Sequence, residues 1–229
     1  MASGLWTGLA SKERRGGRCS RMGIQERRAR EKEGRREAIL RAAIEAYVEE
    51  GYHATTMEKI AERAELSRAT LYLYFKTKDE IFVHAITAHS GYFGDLLEDL
   101  SVRCRSGAQD LLTRLWDAFQ AFYRSDPATF NATLYFHQEE ILRRLPPELR
   151  RLLDRSGTRN YRFLCAIMEQ GVRAGVFRQC DPRTLAEFVW TTFLGIVHLE
   201  NSKRAMGRKN HLETTWELAL EVLGKGTAP

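Results

Sequence analysis

Downstream of Arg35, apolar residues recur every three or four positions, and no stretch alternates with the period of two that a half-buried strand requires. Arg35 to Glu50 carries the apolar pairs Ile39/Leu40, Ala43/Ile44 and Tyr47/Val48, which paint one face of a helix. Gly51 follows, where a helix C-terminus favours a residue tolerant of left-handed φ. Thr55 and Glu58 form a capping-box pair and predict a second helix, with Met57, Ile60, Ala61 and Ala64 inward and Leu66 plugging the corner beyond it. Ser67 predicts the cap of a third helix that turns Leu71 and Phe75 into the same small core. Thr77 and Glu80 make another capping box and open a fourth helix through Ile81, Phe82, Ala85 and Ile86.

The helical period continues to the end of the chain. Ser106 and Gln109 start a helix through Leu111, Leu112, Leu115, Trp116, Phe119 and Phe122. Asp126-Pro127 pairs an N-cap with proline at the first helical position, and Asp181-Pro182 repeats the device. Pro146-Pro147 breaks the chain ahead of a long helix through Leu149, Leu152, Leu153, Tyr161, Leu164 and Met168, which Gly175 ends. Leu185, Phe188, Val189, Thr192, Phe193, Ile196 and Val197 define the next helix. A polar, basic linker from Asn201 to Asn210 then separates it from a last helix through Leu212, Trp216, Ala219, Leu220 and Leu223. The pattern predicts an all-α chain of about nine helices.

Thr55 to Lys78 reads as two short helices joined by a tight turn, the second ending in aromatics beside lysines. Such a pair can push one helix into the major groove of DNA while its neighbour braces the backbone. Arg68 lies in the first turn of the third helix, and an arginine fork suits the O6/N7 pair of guanine. Thr70, Tyr72 and Tyr74 carry hydroxyls suited to phosphate or base edges; the two tyrosines also read as core aromatics with a wet edge. Lys78, with the N–H groups opening the fourth helix, makes a phosphate clamp, and Thr56 offers the same from the second helix.

Charge sharpens this picture. Of 229 residues with a net charge of +6, positions 1–36 carry net +7 and the remainder net −1. The basic character is an N-terminal arm holding Arg14, Arg15, Arg18, Arg21, Arg27, Arg28 and Arg30. It is suited to following phosphates or entering a minor groove. Its glycines and lack of apolar period equally describe a solvated leader, and Met22 offers an alternative start that would remove residues 1–21. The organisation expected is therefore a basic arm over 1–32, a helix-turn-helix head over 33–80 and a larger helical body over 81–229. No stretch is long and apolar enough to span a membrane, and the opening MASGLWTGLAS precedes its charges rather than following them, unlike a secretory signal. Cys19, Cys104, Cys165 and Cys180 lack CxxC spacing and read as reduced thiols of a cytoplasmic protein.

The segment LSRATLYLYFKTKDEIF resembles the recognition segment of the tetracycline-repressor (TetR) family of bacterial transcriptional regulators. The likeness extends upstream through AIEAYVEEGYHATTMEKIAERA and, more diffusely, to EQGVRAGVFRQCDPRTLAEFVWTTFLGIVHL, which is similar to the family's seventh and eighth helices. The resemblance implies that Thr56, Arg68, Ala69, Thr70, Tyr72, Tyr74 and Lys78 occupy DNA-contact positions; Ser67 and Lys76 complete the candidate set. The family usually has Gly in the turn before the recognition helix, where this chain has Glu65. A left-handed φ at that site costs a non-glycine residue about 1–2 kcal/mol.

For the body, the last two helices serve either core packing or a homodimer interface of four helices about a two-fold axis, the latter through Phe188, Thr192, Gly195, Ile196, Leu199, Leu212, Trp216 and Leu220. Two heads would read a palindrome with half-sites about 34–36 Å apart. The resemblance also implies an effector cavity among the middle helices. Trp116, Phe119, Tyr123, Phe136, His137, Tyr161, Leu164, Met168 and Thr192 are the candidate lining for a small hydrophobic ligand, aromatic or acyl in type. The expected function is a DNA-binding regulator, a repressor released from its operator by ligand. The alternatives are an activator or architectural DNA binder without an effector, and a helical protein-interaction module. The sequence has no glycine-rich phosphate loop, HExxH or GxSxG, so no enzyme is expected. His137, Glu139 and Glu140 read as a solvated helix end rather than a metal site, and no cofactor is implied.

Overall fold

The structure, a computed structural model, describes residues 23–103 and 110–228. Among these it contains ten helices and no strand. They are α1 (Ile24–Ala54), α2 (Met57–Arg63), α3 (Arg68–Tyr74), α4 (Lys78–Arg103), α5 (Leu111–Ser125), α6 (Pro127–Phe136), α7 (Glu139–Arg144), α8 (Pro147–Arg173), α9 (Pro182–Ala205) and α10 (Leu212–Thr227). Most of the arm, including Arg14, Arg15, Arg18 and Arg21, lies outside the described residues, as do Cys19, Cys104, Ser106 and Gln109. Residues up to Arg36 form one unit and Glu37 onward the other. In the first, Arg27 and Glu31 make an exposed ion pair at 3.6 Å, one helical turn apart.

In the larger unit the expected apolar face of α1 is buried through Ile39, Ala42, Ala43, Ile44 and Ala46. It shares a core with Met57, Ile60 and Ala61 of α2, Leu71 of α3, Phe75, and Ile81, Phe82 and Val83 of α4. Gly51 breaks the helical geometry of α1 at φ 78°, ψ 168°. The cap of α2 is Thr56, not Thr55: the Thr56 side chain accepts the Lys59 N–H at 3.3 Å. Thr55 is fully buried and donates its hydroxyl to the Gly51 carbonyl at 2.8 Å. Adjacent threonines offer the same local signal, and burial of one selects the other. Ser67 caps α3 by accepting the Thr70 N–H at 3.1 Å.

The turn between α2 and α3 closes with Leu66 N–H on the Ala61 carbonyl and Glu65 N–H on that of Glu62. This is the helix stop that normally places glycine in the left-handed position. The same turn ends α8 at Gly175 and α9 at Gly207, with φ of 69° and 65°. At Glu65 a side-chain-bearing residue holds φ 55°.

The second core is aromatic. Trp116 and Phe119 of α5, Phe130 of α6, Phe193 of α9 and Trp216 of α10 are essentially inaccessible to solvent. Trp216 stacks on Phe193 at 5.5 Å between ring centroids and meets Tyr123 edge-on at 5.7 Å. α4 runs from the head into this body and packs along α8. Two departures from sequence expectation stand out. α9 continues through Asn201 to Ala205, where a linker was expected, because Asn201 is held on both sides: Tyr123 Oη donates to its Oδ1 at 3.2 Å and its Nδ2 donates to Asn131 Oδ1 at 2.7 Å. The other is α7, a separate helix that the sequence reading did not place, supported by Glu139–Arg143 and Glu140–Arg144 pairs one turn apart; His137, Glu139 and Glu140, read as a solvated helix end, are exposed at its start.

Candidate functional site

In α3, Leu71 and Phe75 point into the core, so the opposite side of the helix faces solvent. Arg68, Ala69, Leu73 and Lys76 are exposed, whereas Thr70, Tyr72 and Tyr74 are half-buried. The Arg68 guanidinium sits 2.6 Å from the Glu58 carboxylate of α2 and 5.9 Å from the Tyr72 ring centroid. It is thus braced from two sides while most of its surface stays accessible. The Thr70 hydroxyl lies 2.8 Å from Ser67 Oγ, so the polar start of α3 is tied to its own cap. Thr56 stands exposed at the start of α2. Tyr72 and Tyr74 combine both sequence readings: each packs partly against the head core and keeps part of its surface open.

The two lysines after α3 are used differently. Lys76 is exposed; its ammonium donates to the Tyr72 carbonyl at 2.7 Å, and its backbone N–H donates to Glu80 Oε2 at 2.7 Å. Glu80 N–H in turn donates to Thr77 Oγ1 at 3.2 Å, so half of the expected capping box forms and the carboxylate caps one residue earlier. Lys78 turns inward. Its ammonium donates to the carbonyls of Tyr52 at 2.8 Å and Thr55 at 2.9 Å, and lies 4.3 Å from the Tyr52 ring centroid. Desolvation pushes its pKa below the ordinary lysine value. Lys78 therefore supplies donors to carbonyls at the end of α1 and fastens the start of α4 to it. The Tyr52 hydroxyl bonds Asp79, whose carboxyl burial pushes its pKa upward, and tightens the same junction.

A cavity of about 150 Å³ opens in the body beside α4. Ile86, Thr87, Ser90 and Phe93 of α4 form one wall, and α8 contributes Leu153, Ser156, Asn160, Tyr161 and Leu164. Phe122, His137 and Trp190 complete much of the apolar and aromatic surface. No Asp, Glu, Lys or Arg is among its described lining residues. The polar groups form a knot on one side: Ser156 Oγ donates to Ser90 Oγ at 2.7 Å, and Asn160 Nδ2 donates to the Ser90 carbonyl at 2.9 Å. His137 Nδ1 lies 2.8 Å from the Thr133 carbonyl, and Tyr161 Oη donates to Glu187 at 2.9 Å. That hydroxyl's bond to the carboxylate pushes the Tyr161 pKa upward.

Of the residues expected to line a cavity, His137, Tyr161 and Leu164 do so. Trp116, Phe119, Phe136 and Met168 instead fill the packed cores, with none of their surface exposed. Tyr123 is buried with its hydroxyl on Asn201, and Thr192 donates to the Phe188 carbonyl at 2.7 Å. The reason is rotational: large aromatics on the inward stripe of α5 meet the body's centre, and the cavity lies off that axis, where small Ser, Thr and Asn leave space. Those small residues carried no hydropathy signal.

A separate apolar surface lies on α9 and α10. Phe188, Thr192, Gly195 and Leu199 recur at three- and four-residue steps on α9, and Phe188 and Leu199 are 56% and 54% exposed. On α10, Leu218 and Val222 are 59% and 58% exposed, although the sequence reading did not select them. Leu212 and Trp216, which it did select for an interface, are buried inside the body; Ile196 and Leu220 are half-buried. Apolar residues on both sides of α10 made the outward pair indistinguishable before the fold fixed its rotation.

Residues 39–85 match a family model described as bacterial regulatory proteins of the tetR family. Residues 112–223 match a tetracyclin repressor-like C-terminal domain. The chain is 25% identical over 167 residues to the HTH-type transcriptional regulator YhgD of Bacillus subtilis, covering 71% of this chain and 82% of that protein. It is 26% identical over 155 residues to the fatty acid metabolism regulator protein of the same organism, covering 67% and 77%. In fold it is similar to the MbdR regulator from Azoarcus sp. CIB, with a TM-score of 0.67, 23% identity and coverage of 85% of this chain and all of that one.

Proposed function

The chain is a DNA-binding transcriptional regulator that belongs to the tetR family of bacterial regulatory proteins, and from that premise we propose that it is a homodimeric repressor, released from a palindromic operator by a small, largely apolar ligand. The observation that carries this reading is the position of the cavity. Four of its lining residues, Ile86, Thr87, Ser90 and Phe93, belong to α4, whose first residue, Lys78, fastens the head. A ligand that fits better when α4 tilts also favours a head spacing that no longer matches two half-sites. Operator and ligand then oppose each other reciprocally, and a coupling of about 1–3 kcal/mol lowers operator affinity roughly 5–150-fold.

The lining supports an uncharged buried portion, since the described lining residues include no Lys or Arg to receive an anion and no Asp or Glu to receive a cation. An acyl chain meets that requirement, and similarity to a fatty acid metabolism regulator supports the same class. The outward apolar stripes of α9 and α10 support the homodimer, because two such faces make a four-helix interface. The protein acts in the cytoplasm, by occupying DNA rather than by catalysing a reaction. No helix among the described residues is long and apolar enough to cross a membrane.

Selection of bound sequences from random DNA yields the operator. Titration of that complex with fatty acids and acyl thioesters of graded length should then displace the protein with saturation. Saturable binding of such a ligand with unchanged operator affinity would overturn release by ligand and leave the DNA-binding role intact.

A further inference from the structure

Leu73 is 80% exposed, the most exposed of the large hydrophobic residues described. A lone surface leucine needs no explanation in general. Its position gives this one meaning. Leu73 lies two residues from each of Leu71 and Phe75, both fully buried, which at 100° per residue places it on the opposite face of α3. Exposed Ala69 is one turn away on the same face, and Thr70 and Tyr72 flank the pair. The centre of the recognition surface is therefore an apolar strip, with Arg68 at one end and Lys76 at the other.

A leucine can neither donate to a phosphate nor pair with a base edge. Among the groups that distinguish base pairs in the major groove, the one apolar group is the C5-methyl of thymine. Ala69, with a single methyl, lets the helix approach the groove floor closely enough for the longer Leu73 to reach it. We infer that Leu73 is a specificity-determining residue that reads a thymine methyl in each half-site of the operator. The inference rests on α3 entering the major groove and adds a contact to the polar ones expected at Arg68 and Thr70.

The experiment replaces each thymine of the selected operator by deoxyuridine, which removes only the methyl. Affinities are measured for the full-length protein and for Leu73→Ala. One thymine per half-site should be methyl-sensitive in the parent protein, with a loss of about four-fold per half-site for one buried methyl. Leu73→Ala should bind thymine-containing DNA more weakly and lose the distinction at that position. Because the side chain is exposed, the variant's melting temperature should match the parent's, which separates lost reading from lost folding. A parent protein indifferent to every thymine methyl overturns the inference, as does a Leu73→Ala protein that remains equally sensitive. A variant weakened on all sequences alike also overturns it, by assigning Leu73 to the sugar–phosphate backbone. In each of those outcomes sequence-selective binding by the parent still stands; its absence would instead remove the premise that α3 reads DNA.

Discussion

Glu65 holds a backbone conformation that Gly175 and Gly207 hold at the ends of two other helices in this chain, with the same pair of closing hydrogen bonds. Replacing it by glycine removes a Cβ clash but adds freedom to the unfolded chain. Glu65→Gly should therefore stabilise by about 0.5–1 kcal/mol, read as a raised denaturant midpoint at unchanged slope. Lys78 makes the opposite case. Lys78→Met keeps the stem but strips the donors from the Tyr52 and Thr55 carbonyls, and should cost about 1–2 kcal/mol. Lys76→Met, on the exposed side, should stay within about 0.5 kcal/mol of the parent. His89 adds a pH dependence. Its ring stacks on Phe122 at 4.4 Å and its Nε2 donates to the Phe122 carbonyl at 3.1 Å. Burial there pushes its pKa below the ordinary value, with Asp126 opposing more weakly. The unfolded chain thus takes up a proton that the native state resists. This contribution to stability is complete above about pH 6.5 and is lost as pH falls below it. His89→Gln should flatten the slope of unfolding free energy against pH below about pH 6.5.

At the scale of elements, the decisive contact is between α4 and α8. Gly94 of α4 lies where a Cβ would stand 2.6 Å from Asn160 Oδ1 and 2.8 Å from an Arg159 guanidinium nitrogen. The arginine can swing away, but Asn160 is held by two bonds to Ser90. Gly94→Ala should force the helices apart and cost about 1–3 kcal/mol in thermal or denaturant unfolding. Because Ser90 and Asn160 also line the cavity, the variant should weaken ligand binding more than it weakens operator binding. The helices themselves were legible in advance. Proline after an aspartate cap marks α6 and α9, and the side chains of Asp126 and Asp181 do accept N–H groups of Thr129 and Arg183. Their exact ends were less legible where long-range partners decide them, as Asn131 and Tyr123 decide for Asn201.

For the whole molecule, dimerisation is expected to depend on the outward stripes rather than on the buried tryptophan. Phe188→Asp or Leu218→Asp should shift sedimentation toward the monomer and leave the helical spectrum unchanged, since both side chains are already in solvent within one chain. Loss of the dimer removes the second head, so affinity for a full operator should fall toward that for a half-site. Trp216→Ala is expected to act differently, costing about 3–5 kcal/mol of folding stability through the cavity it leaves beside Phe193 and Tyr123.

The sequence by itself determined the all-helical class, the helix-turn-helix head, the family and the polar end of α3, because helix period, caps and turn chemistry are local and are written within a few residues. What the tertiary structure alone decided is which way each helix is rotated in the body and which side chains meet across distance. That rotation buried Trp116, Phe119 and Trp216, exposed Leu218 and Val222, and gathered Ser90, Ser156 and Asn160 around a space. It also turned Lys78 back onto the end of α1. Helices that are apolar on more than one side pack in several rotations of similar hydrophobic gain, and only the simultaneous fit of all their neighbours selects one.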